Sequence, residues 1–165
     1  RAGDLLLLSF DQTGSISPLL TGPSTEHNAE ISPNGRWIAY QSNESGRHEI
    51  YVRPFPRVSD GRWQISSGGG SHPVWARSGH ELFYISAAGL VSVPVQIGRP
   101  FEFGNASVVL KGASERYWVA TVGRSYDVAP DGQRFLMLKE EQQAAARIHV
   151  VQNWTEELKQ RVPTR

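Results

Sequence analysis

Twelve residues, AEISPNGRWIAY at Ala29–Tyr40, decide how this chain is read, because their pattern returns twice. PVWARSGHELFY occupies Pro73–Tyr84, and YDVAPDGQRFLM occupies Tyr126–Met137. Each copy has an apolar residue, a four-residue turn closing on glycine, one polar residue and then an apolar run. The turns are SPNG, ARSG and APDG, and they end at Gly35, Gly79 and Gly132. Pro33 and Pro130 preset φ, Asn34 and Asp131 suit an Asx or left-handed conformation, and Gly35 and Gly132 supply positive φ. In the middle copy Arg77 and Ser78 replace Pro-Asn, so the turn at Ser78 and Gly79 is expected to be less rigid.

The glycine corners lie 44 and then 53 residues apart. A period in the forties, dense in short strands and Gly/Pro/Asn/Asp turns, predicts four-stranded antiparallel units, the blades of a β-propeller. Helical repeats of similar period carry apolar residues at i, i+3 and i+4 with few internal turns, and that pattern is missing here. The first full unit reads as strands over His27–Ser32, Arg36–Ser42, Glu49–Arg53 and Arg62–Ser66. Its second strand places Trp37, Ala39 and Gln41 on one face and Ile38 and Tyr40 on the other. Gly68, Gly69 and Gly70 then let the chain cross to the next unit.

The second unit reads as strands over Pro73–Ala76, Glu81–Ser86, Leu90–Val95 and Ala106–Leu110, with extra loop at Gln96–Asn105 and Gly112–Arg124. A third has strands over Ser125–Ala129, Arg134–Lys139 and Arg147–Gln152. Asp4–Phe10 and Ser15–Leu20 read as the last two strands of a preceding unit. A short C-terminal helix is predicted where Asn153 and Glu156 form a cap, Trp154, Leu158 and Val162 share a face, and Pro163 stops the run. The fold class expected is all-β, a partial β-propeller of four-stranded antiparallel blades with that helix. It divides into a half blade at 1–25, blades at 26–70 and 71–115, a partial blade at 116–153 and a helical tail at 154–165. At about 44 residues per blade, 165 residues supply about 3 to 3.75 blades, too few to close a ring. The missing blades are expected upstream in a longer chain, or from a second copy. The opening Arg1-Ala2-Gly3, with no Met, points the same way.

Composition narrows the function classes. Seventeen Lys and Arg balance sixteen Asp and Glu, for a net charge of +1, with no basic stripe to hold nucleic acid. Cysteine is absent, which excludes disulfides, thiolate zinc sites and a cysteine nucleophile. The longest apolar run, Leu5–Leu8, falls far short of the ~20 residues that cross a bilayer, so this segment is not expected to insert in a membrane.

No catalytic constellation is expected. Ser125 sits in GRSYD, which lacks the second glycine of a hydrolase elbow and leads into a strand. SGGGS at Ser67–Ser71 is followed by no Gly-Lys-Ser/Thr and opens no helix, so it reads as a crossover and not a phosphate cradle. The five histidines show no metalloprotease spacing, and no metal or cofactor is expected. His27 and His72 both enter a first strand and are expected to approach each other near a central axis. Arg36, Arg53, Arg62, Arg77, Arg116 and Arg124 recur near strand ends, where guanidinium forks suit a binding face. His27, His72, Arg77 and Arg124 are the candidate binding residues. Trp37, Tyr40, Trp63, Trp75, Phe83, Tyr84, Phe135 and Trp154 are expected in the core where units stack.

ISPNGRWIAYQSNESGRHEIYVRPFP at Ile31–Pro56 and YDVAPDGQRFLMLK at Tyr126–Lys139 resemble the WD40-like, TolB-like propeller repeats. The order of elements, with the tail at Asn153–Leu158, is similar to the carboxyl-terminal propeller of bacterial serine/threonine kinases. The resemblance implies a non-catalytic binding module in a larger bacterial sensor or signalling protein, periplasmic or otherwise extracytoplasmic. Its protein or small-ligand partner would sit on the axial or loop face. A propeller gating a tricorn-like or prolyl-oligopeptidase-like peptidase, and a half-ring completed as a homodimer, are the alternatives. No Gly-rich loop with its lysine, no HRD and no DFG occurs, so this segment carries no kinase machinery.

Overall fold

The three glycine corners fold alike. In the computed structural model, which describes residues 3–10, 14–117, 119–121 and 123–139, Gly35, Gly79 and Gly132 take φ of +69°, +71° and +70°. Each glycine N–H donates to the carbonyl three residues back, on Ser32 at 2.8 Å, Ala76 at 2.9 Å and Ala129 at 2.9 Å. Those same three residues donate their own N–H five residues ahead, to Trp37, Glu81 and Arg134. A side-chain oxygen braces each corner from within. Arg36 N–H donates to Asn34 Oδ1 at 3.1 Å, His80 N–H to Ser78 Oγ at 3.3 Å, and Gln133 N–H to Asp131 Oδ1 at 3.0 Å. Ser78 therefore does for the middle copy what Asn34 and Asp131 do for the others. The turn expected to be looser closes in the same geometry without its proline.

These corners join strands into separate antiparallel sheets. β1 (Leu5–Ser9) pairs with β2 (Ser15–Leu20). β3 (Glu26–Ile31), β4 (Trp37–Ser42), β5 (Glu49–Pro54) and β6 (Trp63–Gln64) form a four-stranded sheet in chain order. β7 (Ser71–Trp75), β8 (Glu81–Ser86), β9 (Gly89–Gln96) and β10 (Glu102–Phe103) form the next, and β11 (Ser107–Lys111) also pairs with β9. β12 (Tyr126–Val128) pairs with β13 (Phe135–Met137), which ends before the expected Lys139. One four-residue helix, α1 (Ala113–Arg116), is present among the described residues.

Two stretches expected as plain loop hold structure. β10 lies inside Gln96–Asn105, because Val95 and Gln96 extend past β11 and leave an edge that Glu102 and Phe103 pair with. α1 lies inside Gly112–Arg124, and its Ala113 is fully buried between the second sheet and the third. The strand expected at Arg147–Gln152 and the C-terminal helix fall outside the described residues.

Alternation explains why the sheets stack. All six residues of β4 are buried, so this strand is covered on both faces. Trp37 and Ala39 point to one side and join Ile50, Val52 and Ile65 against Trp75, Leu82 and Tyr84 of the second sheet. Phe101 fits between the indoles, its ring centroid 5.0 Å from Trp37 and 5.4 Å from Trp63. The opposite face of the second sheet presents Val74, Phe83, Ile85 and Leu90 to Tyr126 and Val128 of β12. Burying each such Leu or Ile contributes about 1.5–3 kcal/mol, so this face-to-face packing outweighs any one turn.

The corners still differ in what they tolerate. Gly35→Ala is expected to lose about 1 kcal/mol, the penalty of a left-handed alanine, because its new Cβ meets nothing within 4 Å. Gly79→Ala is expected to lose more, because that Cβ runs into Ile97 Cδ1. Urea denaturation of the two variants measures the gap, and equal losses would refute it.

Candidate functional site

Each of the three units begins with the strand that precedes its corner, and these strands, β3, β7 and β12, lie side by side. Two of them bulge at the same place. Register slips between His27 and Glu30 in β3 and between Ser71 and Val74 in β7. Within each slip one residue other than glycine takes positive φ, Asn28 at +51° and His72 at +54°. Both stand seven residues before their corner glycine, and the same count back from Gly132 reaches Ser125. Asparagine and histidine are among the types that enter the left-handed region most readily, and a bulge re-aims side chains out of the ladder.

The bulges open a cleft of about 380 Å³, whose walls include Asn28, Glu30, His72, Val74, Arg124 and Ser125. Glu30 ties β3 to β7 and to the segment that leads into β12. Its Oε2 accepts the Trp75 N–H at 3.1 Å, its carbonyl accepts the Trp75 indole N–H at 3.0 Å, and its Oε1 pairs with Arg124. Arg124 also pairs with Asp127 at 3.3 Å. Gly123 N–H donates to Asn28 Oδ1 at 2.8 Å, and Asn28 Nδ2 donates to Gln41 Oε1 at 3.0 Å. Tyr126 donates its hydroxyl to the His72 carbonyl at 2.9 Å.

Burial sets the electrostatics. It pushes the Glu30 carboxyl above its ordinary 4.5, and the Arg124 cation opposes that rise. It pushes the His72 imidazole below its ordinary 6.5, while a nearby Ala120 carbonyl works the other way without completing a well-aligned hydrogen bond. The Tyr126 phenol is raised by burial, with Glu30 adding to the effect. Both ring nitrogens of His72 and the hydroxyl of Ser125 are buried and have no hydrogen-bond partner among the described residues.

His72 and Arg124 thus share one cleft, and the other two candidates are not among its walls, although His27 lies near enough to His72 to disfavour its protonated form. The His27 ring packs against His48 with centroids 5.4 Å apart. Arg77 borders a separate hollow beside Pro130 and Arg134. Asn28, Glu30, Ser125 and Tyr126 were not among the residues singled out for binding. A signal existed for two of them, since Asn28 and Ser125 occupy the His72 position of their own repeats. Ser125 and His72 share no hydrogen bond, so no base is poised on that hydroxyl. Among the described residues no group of three His, Asp or Glu side chains is placed to hold a metal ion. The chain matches no protein-family model and no curated protein sequence.

A pH signature follows from His72. An imidazole held below 6.5 binds fewer protons folded than unfolded, so it lowers stability as pH falls through and below that value. His27, lowered by burial too, acts in the same sense. Glu26 and Glu30, raised above 4.5, bind more protons when folded and act in the opposite sense. His72→Asn keeps a residue that accepts the left-handed backbone and removes the imidazole. Between about pH 7 and pH 5 the melting temperature is expected to fall less in this variant than in the parent. An identical fall in both would overturn the assignment.

Proposed function

We propose that the chain is a segment of a β-propeller serving as a non-catalytic binding module, with the β3–β7–β12 cleft as its ligand face at the ring axis. One observation carries this reading: the first strands of three repeated units converge on a cleft that holds buried, unpartnered polar atoms. The face-to-face stacking of the sheets and the recurrence of the corner bonds support the propeller itself. The resemblance to kinase-associated propellers supports reading the module as part of a larger bacterial sensor or signalling protein.

The two end sheets favour a ring with more blades than this chain supplies. Leu6 and Leu8 of β1 and Ile16 of β2 are 59%, 48% and 67% exposed, and Leu136 of β13 is 74% exposed. Further blades would cover these apolar side chains, whether from a longer polypeptide or from a second copy. Light scattering of the 18.3 kDa chain is expected to show concentration-dependent association. Leu136→Lys, at so exposed a site, should weaken that association while changing stability by no more than about 0.5 kcal/mol.

Thermal-shift screening of metabolites and short peptides, with mass spectrometry of every hit, tests the binding role. Stabilising compounds are expected back chemically unchanged, and Arg124→Ala, which frees Glu30, is expected to alter their effect. Conversion of a hit to product, or hits indifferent to Arg124→Ala, would overturn the reading.

A further inference from the structure

Most polar side chains on the wall of the β3–β7–β12 cleft pair with one another, and those left over point to a class of ligand. Among the described residues its one cation is already engaged, because Arg124 pairs with both Glu30 and Asp127. Its strand edges are capped by side chains. The His72 N–H reaches Gln41 Oε1 at 3.4 Å, the His72 carbonyl takes the Tyr126 hydroxyl, and the Trp75 N–H goes to Glu30. An incoming peptide strand would find few free backbone groups there to pair with. Of the four buried side-chain atoms without a well-aligned partner among the described residues, three belong to its walls: His72 Nδ1 and Nε2, with the Ala120 carbonyl near the ring, and Ser125 Oγ. His72 is 5% exposed and Ser125 4%, and both line the cleft.

A neutral imidazole offers one donor and one acceptor, and a hydroxyl offers both. The group that complements them must also donate and accept. Carboxylates and phosphates only accept, and ammonium groups only donate. An anionic group would also meet the two carboxylates that share Arg124. The space is of the size that small-ligand clefts occupy, roughly 300–1,000 Å³. Ala29, Pro73 and Val74 add apolar wall between the polar points.

We propose that this cleft binds an uncharged, polyhydroxylated small molecule, a saccharide or polyol, through hydrogen bonds exchanged with His72 and Ser125. The proposal deepens the binding-module reading and rests on it. The three atoms lie just beneath the cleft surface, so binding entails rotation of the Ser125 hydroxyl and adjustment of the 123–125 segment.

The test is a titration of the whole chain with neutral sugars and their acid counterparts, glucose against gluconate and galactose against galacturonate, together with myo-inositol. Histidine ring resonances in NMR spectra report contact at His72 in the unaltered protein. At least one neutral compound is expected to shift the His72 signals and to bind at least about tenfold more tightly than its acid partner, since a site built to pair a hydroxyl penalises a mismatched group strongly. Ser125→Ala, which removes one oxygen, is expected to weaken binding by a further factor of about ten, the usual scale for a lost hydrogen bond. The proposal is overturned if no neutral compound moves the His72 resonances, if the acids bind equally well, or if Ser125→Ala has no effect. A charged metabolite or peptide that shifts His72 in their place would overturn the ligand class and leave the binding module standing. Hits confined to other surfaces would remove both.

Discussion

A sheet with two apolar faces must be covered twice, and that constraint organises this molecule. β4 shows it most plainly, since every residue from Trp37 to Ser42 is buried. Trp37 and Ala39 pack on the second sheet, while Tyr40 turns the other way and stacks on Tyr51 with ring centroids 5.8 Å apart. The Tyr40 hydroxyl, buried with its ring, receives the Arg53 Nε–H at 2.8 Å, so the polar tip is satisfied where the ring is hidden. Face-to-face stacking is the solution available to such strands. It also brings the first strand of each unit alongside the next, and the cleft is a consequence of that arrangement.

Polar anchors fix the stack where apolar packing alone would let sheets slide. The Ile97 carbonyl accepts the Trp37 indole N–H at 3.1 Å and the Asn34 side-chain N–H at 2.8 Å, tying the first corner to the second sheet. The Glu30 carbonyl accepts the Trp75 indole in the reverse direction, from second sheet to first. Each tryptophan thus contributes a large apolar surface and one directional bond across the same interface. Apolar burial supplies most of the energy there, and the two indole bonds set the register.

Much of this was legible in sequence because turns and alternation are local properties. The corners at Gly35, Gly79 and Gly132 and the opposed faces of Trp37 and Ile38 could be read from residue type and spacing. β10 could not, because a two-residue strand exists only where β9 outruns β11, a tertiary circumstance. α1 was hidden for a similar reason: four residues carry too little periodicity to register, and burial of Ala113 holds them in place. The candidate site was half legible. His72 and Arg124 stood out as types, but nothing local singled out Glu30. Its role depends on Trp75, 45 residues away, and on Arg124, 94 residues away. Long-range convergence of that kind leaves no local trace.

The Glu30–Arg124 pair contributes more to position than to stability. Arg124 is 50% exposed and Glu30 25%, and a pair so open to solvent is worth about 0–1 kcal/mol. Against that small gain stands the desolvation that lifts the Glu30 carboxyl. The pair's larger effect is positional. It holds the guanidinium across the gap between β3 and β12 and cancels the charge that a half-buried carboxylate would otherwise project into the cleft. Beside it, His72 and Ser125 carry the buried side-chain atoms of the cleft that have no well-aligned hydrogen-bond partner among the described residues.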